Sequence, residues 1–291
     1  MQGISRVRAA LALSGVGTLV LASSLSAGAA STVNAAAAKL VPAAYKHITL
    51  QVATDATYPP DEFMKGSKMV GFDIDLINAL AATLGVKIHE NSVTFDNILA
   101  GIKSGRYQIG NSSFTASKAR EKTNNFVDYF QAGEGVYAKS SSKVTFKGLK
   151  SFCGLTVAVE TGTSELTDAQ ATAKTCPAGK KLTIRTFATQ TSANLAVSSG
   201  QAAVGFVDSQ VAGYIVAQSH GLFKLVGNAV NVAPYGIATA NTPNGKALAL
   251  ALQAALKVLV ANGTYHKILT TWGVQAGAIP VAKMVLNGAI S

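Results

Sequence analysis

Phe72-Asp73-Ile74-Asp75-Leu76-Ile77-Asn78-Ala79-Leu80-Ala81-Ala82-Thr83-Leu84-Gly85-Val86-Lys87-Ile88-His89-Glu90 changes character at its glycine. Up to Leu84 the apolar residues Leu76, Ile77, Leu80, Ala81 and Leu84 keep helical spacing, and Gly85 stands just past the end, where a helix takes its cap. Val86 to Glu90 follows as a strand. Before this unit, Ile48 to Thr54 reads as a strand. After it, Phe95 to Lys103 reads as a helix closed by Ser104-Gly105, and Tyr107 to Asn111 as a strand. Leu155 to Glu160 restarts the rhythm after a loop around Ser140 to Ser142, and Gly245 to Ala261 and Gly263 to Trp272 close the chain as helices. Short β-branched runs alternating with longer Ala/Leu-rich segments predict an α/β fold with mostly parallel sheets covered by helices.

The N-terminus places Arg6 and Arg8 before an apolar run from Ala9 to Leu25 and small residues through Ala29 and Ala30. That order predicts a signal peptide over residues 1–30, the apolar run being too short and too Ala/Gly/Ser-rich for a membrane span. The remainder suffices for two lobes of ordinary domain size. Removing Arg6 and Arg8 lowers the formal charge of +11 by two, to +9. The basic residues are scattered, the longest run being Lys180-Lys181, so they read as a solvated surface and not as a nucleic-acid interface. Cys153 and Cys176 are the only cysteines; an even count in an oxidising compartment predicts one disulfide, and no cysteine follows the apolar run to carry a lipid. The four histidines, His47, His89, His220 and His266, lie far apart, so no metal or cofactor is expected.

Asn97-Ile98-Leu99-Ala100-Gly101-Ile102-Lys103-Ser104-Gly105 is echoed by Ala193-Asn194-Leu195-Ala196-Val197-Ser198-Ser199-Gly200, and an apolar strand follows each glycine. Eight residues past Gly105 stands Ser113, and eight past Gly200 stands Asp208. Both fall beyond the carboxyl end of a strand, where open α/β sheets place ligand groups, which suggests two lobes facing one cleft. Asp55 ends the first strand and leads into Thr57-Tyr58-Pro59-Pro60, a stiff turn that aims the Tyr58 ring; Phe95 opens the next helix and could form the opposite wall. Thr115 and Arg120 follow Ser113, and a guanidinium suits a carboxylate because its planar fork donates two parallel hydrogen bonds. Gly162-Thr163-Ser164 is a strand-to-helix turn whose free N–H groups favour an anion, while plain N-capping by Thr163 or Ser164 is the competing role.

Six stretches in order resemble the polar amino-acid solute-binding proteins of ATP-driven importers: Asp55 to Pro60, Gly71 to Leu76, Ser113-Phe114-Thr115 with Arg120, Phe126 to Phe130, Gly162-Thr163-Ser164, and Pro234 to Ala238. The resemblance runs from Ile48 to Trp272. It implies a periplasmic-binding-protein-like fold, with two α/β lobes joined by a two-crossing hinge near Val136 to Lys139 and Asn231 to Tyr235. Lobe 1 would take residues 47–137 and 235–291, and lobe 2 residues 138–234. By position, Arg120 would bind the carboxylate of a free amino acid with Thr115, Thr163 and Ser164. Asp208 and Ser113 would bind its ammonium, Tyr58 and Phe95 would flank the side chain, and Asp55 would reach a polar, basic or amide end. The implied partner is the membrane permease of an ABC importer, served by an exported, soluble monomer without catalysis. Two departures stand out: Asp61 replaces the aromatic residue that usually follows Tyr-Pro-Pro, which unsettles the floor of the side-chain pocket, and Asn124-Asn125 replaces a more acidic stretch. The same fold carries a dehydratase of cyclohexadienyl acids, for which Glu165 is the candidate acid, but Asp208 at the ammonium position favours binding. A sensory binding protein would share the pocket.

Overall fold

The computed structural model describes residues 33–289 of the chain. The signal peptide expected over residues 1–30 lies outside the described residues. The strands are β1 (Thr49–Thr54), β2 (Thr57–Tyr58), β3 (Glu62–Lys65), β4 (Lys68–Val70), β5 (Lys87–Ser92), β6 (Ile109–Gly110), β7 (Asn124–Lys139), β8 (Thr156–Glu160), β9 (Thr183–Phe187), β10 (Val204–Asp208), β11 (Phe223–Leu225) and β12 (Val230–Ala240). The α-helices are α1 (Ala35–Lys39), α2 (Phe72–Leu84), α3 (Phe95–Lys103), α4 (Lys118–Glu121), α5 (Ser164–Ala173), α6 (Gln190–Ser198), α7 (Ser209–Gln218), α8 (Pro243–Ala261) and α9 (Thr264–Trp272).

A curled sheet runs in the order β5-β1-β6-β12-β7-β10-β8-β9, with β11 beside β7. Its flanks are the expected parallel ladders, β5-β1-β6 on one side and β10-β8-β9 on the other. Between them β7 and β12 are antiparallel and run through both lobes. The N-terminal part of β7 pairs along β12, and from Glu134 onward it also pairs with β10. A register irregularity between Val230 and Ala233 bends β12 at the same level.

Each lobe owns a core. In the first, α2, α8 and α9 bury Leu76, Leu80, Leu252, Leu256 and Leu269 against Val52, Ile109 and Ile237 of the sheet. Each such side chain, fully removed from water, contributes about 1.5–3 kcal/mol before entropy is subtracted. In the second, Val157, Val159, Val204 and Phe206 pack with Phe146 and Phe152.

Local chemistry fixes the elements that matter for the cleft. Helix α2 carries Asp73 and Asp75 in its first turn, where the helix dipole favours acids, and ends on Gly85 in the left-handed conformation. Gly71 precedes it at φ 141°, and a Cβ there would meet the Asp61 carbonyl oxygen at 2.0 Å, so only glycine lets the Tyr-Pro-Pro turn lie against this helix. Thr163 caps α5 by accepting a hydrogen bond from Leu166 N–H.

Cys153 and Cys176 are joined in a disulfide across 23 residues of the second lobe. A closed loop of this size adds about 3 kcal/mol in the chain-entropy model. Replacing both cysteines by serine should therefore lower the melting temperature by roughly 6–12 °C, as read by calorimetry. A drop under about 2 °C would refute the assignment of stabilisation to this loop.

Candidate functional site

Four strand ends converge between the lobes. Asp55 follows β1, Ser112 and Ser113 follow β6, Glu160 ends β8, and Asp208 ends β10. With them, Tyr58, Glu62, Phe95, Thr115, Arg120, Thr163, Ser164 and Glu165 enclose a cavity of about 290 Å³. All nine residues singled out from the sequence thus face one cavity. Glu62 and Glu160 were not foreseen. For Glu160 a signal existed, because it ends a parallel strand as Asp55 and Asp208 do.

Arg120 is anchored and aimed. It donates to the carbonyl oxygens of Thr115 (2.8 Å) and Gly162 (2.9 Å), one from each lobe. Its guanidinium lies 5.5 Å from the Phe95 ring centre and 5.4 Å from that of Phe114, and these two rings stack on each other. Two of its five N–H donors are used in this way, so the fork still offers donors to an anion. Thr115 and Ser164 meet across the cleft, hydroxyl to hydroxyl at 2.9 Å, while Thr163 is committed to its cap.

Asp208 receives the Tyr58 hydroxyl at 2.8 Å, and the Tyr58 oxygen in turn accepts from Asp208 N–H at 3.1 Å. The Tyr58 ring packs into the second lobe's core, beside Val207 and Val211. Burial raises Asp208 to about 6, held from rising further by the hydroxyls of Tyr235 and Tyr58. Glu165 lies beside it, pushed well above the ordinary range by burial and then by the Asp208 charge.

The far end of the cavity is acidic as well. Asp55 accepts from Thr57 N–H and hydroxyl through one oxygen and from Phe95 N–H at 3.0 Å through the other, so it both shapes its turn and caps α3. Burial raises it, against these hydrogen bonds. Glu160 faces it from the other lobe, and burial followed by the Asp55 charge pushes Glu160 up to about 10. Oε1 of Glu160 and Oε1 of Glu165 are buried without a hydrogen-bond partner. An ionised carboxylate left in that state is costly, and a cation or a proton would relieve it.

The pocket floor corrects the expectation drawn from Asp61. Asp61 does not line the cavity; it lies beneath it, fully buried with Asp73, and Glu62 is the acid that faces inward. The Ser113 hydroxyl reaches Asp61 at 2.9 Å, Glu62 at 3.2 Å and Asp73 at 3.4 Å, while Tyr129 donates to Asp73 at 2.6 Å. One hydroxyl hydrogen cannot serve three carboxylates, so this group shares bound protons. Burial and mutual repulsion push Asp61 and Glu62 well up, and burial brings Asp73 to about 6. Asn125, the second departure, donates to the Ala240 carbonyl at 2.8 Å and ties the end of β7 to β12.

The sequence matches the family model for bacterial extracellular solute-binding proteins, family 3, over residues 50–275. The arginine-binding protein ArgT of Corynebacterium glutamicum is 30% identical over 237 residues, covering 80% of this chain and 77% of that protein. ABC transporter arginine-binding protein 1 of Escherichia coli is 27% identical over 230 residues, covering 77% and 90%. Among solved structures, an ancestral arginine-binding protein bound to glutamine superimposes with a TM-score of 0.71 at 31% identity, covering 78% of this chain and 98% of that one. An ancestral amino acid-binding protein described as a precursor of cyclohexadienyl dehydratase gives a TM-score of 0.69 at 30% identity, covering 77% and 95%. The matched residues span both lobes and every strand end of the cleft, and the chain belongs to family 3 of the bacterial extracellular solute-binding proteins.

Proposed function

We propose that the protein captures a free basic amino acid, L-arginine foremost, by closing its two lobes around it, and delivers it to the permease of an ABC importer. One observation carries the choice of ligand: the cavity wall sets five carboxyl groups, on Asp55, Glu62, Glu160, Glu165 and Asp208, against a single guanidinium, on Arg120. A zwitterion brings one carboxylate for Arg120 and one ammonium for Asp208. The acids at the Asp55–Glu160 end then favour a second cation, because buried carboxylates ionise at least cost beside a positive charge. The arginine-binding relatives from Corynebacterium and Escherichia point the same way.

In this reading Thr115, Ser164 and the N-terminal turn of α5 assist Arg120, with Thr163 shaping that turn. Ser113 supports the acids under the ammonium, Tyr58 pins Asp208, and Phe95 and Tyr58 flank the aliphatic stem. Asp55 and Glu160 face the guanidinium of the ligand. Lobe 1 takes residues 47–137 and 235–291 and lobe 2 residues 138–234, with bending where β7 and β12 exchange partners near Glu134 and Val230. The protein works outside the cytoplasm as a soluble monomer; its two cysteines are bonded to each other, which supports an anchor-free form. The dehydratase reading has one supporting observation, the unpartnered Oε1 of Glu165 on the cavity wall. A cyclic acid without an amine, however, would leave Asp208 unmatched.

A thermal-shift screen of the mature protein against the twenty amino acids tests this directly. At a hundred times its Kd, a ligand adds about 2.7 kcal/mol of stability. L-arginine should give the largest shift and L-lysine the next, with L-glutamate and L-aspartate giving none. A largest shift with an aliphatic or acidic amino acid, or with a cyclohexadienyl acid alone, would overturn the reading.

A further inference from the structure

Helix α7 belongs to the second lobe and starts directly after Asp208, yet two of its side chains meet the first lobe away from the cavity. Gln210 spends its amide protons on Asp61 Oδ2 at 2.7 Å and on the Tyr235 hydroxyl at 2.6 Å. One turn later Tyr214 lies 6.0 Å, centroid to centroid, from Phe63, which in turn meets the edge of Trp272 at 5.8 Å. Gln210 and Tyr214 share one face of the helix, four residues apart, and Asp61 and Phe63 present the matching pair from the turn into β3. None of Asp61, Phe63, Gln210 and Tyr214 borders the cavity.

We propose that this helix face and the Asp61–Phe63 turn form a latch between the lobes, which sets how long the closed form lasts whatever amino acid it encloses. The position of Asp61 follows from this role. Fully buried, it presents a carboxylate oxygen to Gln210, which an aromatic ring could not do. The network continues inward, since Gln210 holds the Tyr235 hydroxyl and that hydroxyl, with Tyr58, helps to keep Asp208 ionised. Contacts made only after the lobes meet act on escape and not on entry, so the latch governs koff. Losing a closed-form contact that does not touch the ligand weakens every ligand by one common factor.

The test measures koff and kon by stopped-flow fluorescence of Trp272, the single tryptophan, with L-arginine and L-lysine as probes; the probes rest on the ligand reading above. Gln210→Ala should raise koff about tenfold for both, leaving kon within about threefold. Asp61→Ala should raise koff as well, and the double variant should fall short of the product of the two single effects, because the Gln210–Asp61 bond is lost in both. Asp61→Asn keeps an acceptor oxygen and should stay near the parent. Tyr214→Ala, a half-exposed ring outside the polar network, should raise koff more modestly and covers the case in which a buried substitution fails to fold. Unchanged koff in Gln210→Ala, or losses differing more than about tenfold between the two ligands, would overturn the latch. A parent that ignores both probes refutes the ligand reading instead, and the latch is then read with the amino acid that most raises the parent's melting temperature.

Discussion

Arg120→Ala should weaken L-arginine binding by a hundredfold or more while leaving the circular dichroism spectrum and the cooperativity of unfolding intact. In the proposed site the fork would give two charge-assisted hydrogen bonds to the ligand carboxylate, each worth about 1.5–3 kcal/mol, so their joint loss is about 3–6 kcal/mol. Each tenfold in Kd corresponds to about 1.4 kcal/mol. No basic side chain then remains on the wall, so nothing offsets its five acids against the carboxylate of a ligand. Arg120→Lys should recover little, because an ammonium cannot reach the Thr115 and Gly162 carbonyls and the ligand in one plane. Titration calorimetry with both variants decides the matter: an affinity within threefold of the parent would remove Arg120 from the site.

Glu160→Gln should cost about 2–3 kcal/mol toward L-arginine, roughly 30- to 150-fold in Kd, and much less toward L-glutamine. The reason is a proton. Burial and the neighbouring Asp55 push Glu160 up to about 10, so with the lobes closed as they are here it is neutral at pH 7 until a cation faces it. A guanidinium against Asp55 and Glu160 favours the ionised form, so binding expels the proton. The sign follows: a ligand that releases a proton binds more tightly as pH rises, by up to about tenfold per unit, until Glu160 ionises without it. Calorimetry in phosphate and Tris buffers should therefore register release of close to one proton for L-arginine at pH 7. None should be released for L-glutamine, and none by the variant. An affinity for L-arginine that is flat between pH 6 and pH 9 would refute the assignment.

The fold was legible where local chemistry and burial agree. Helices α2 and α3 were read to their last residue because each has an apolar face and a punctuating glycine. The sixteen-residue strand β7 was not read as a strand. It is buried on both faces, interrupted by Gly133 and Gly135, and pairs with residues about a hundred positions away, so it has no alternating pattern to follow. The cavity was legible through one rule, polar residues just past strand ends, which found Asp55, Ser113 and Asp208. That rule would have found Glu160 had the end of β8 been treated like the others. Asp61 and Gln210 were illegible in principle, since they stand 149 residues apart and neither has a meaning until the lobes meet.

Glu134 and Val230 face each other in the ladder between β7 and β12. The chain leaves and returns at this one paired position, so the segment between them could be replaced by that of a relative through two neighbouring cuts. In such a chimera Glu165 and Asp208 would travel with the graft, while Asp55 and Arg120 would stay with the host. Two halves of one recognition problem can thus be exchanged separately, a means by which new ligand preferences arise without rebuilding either core.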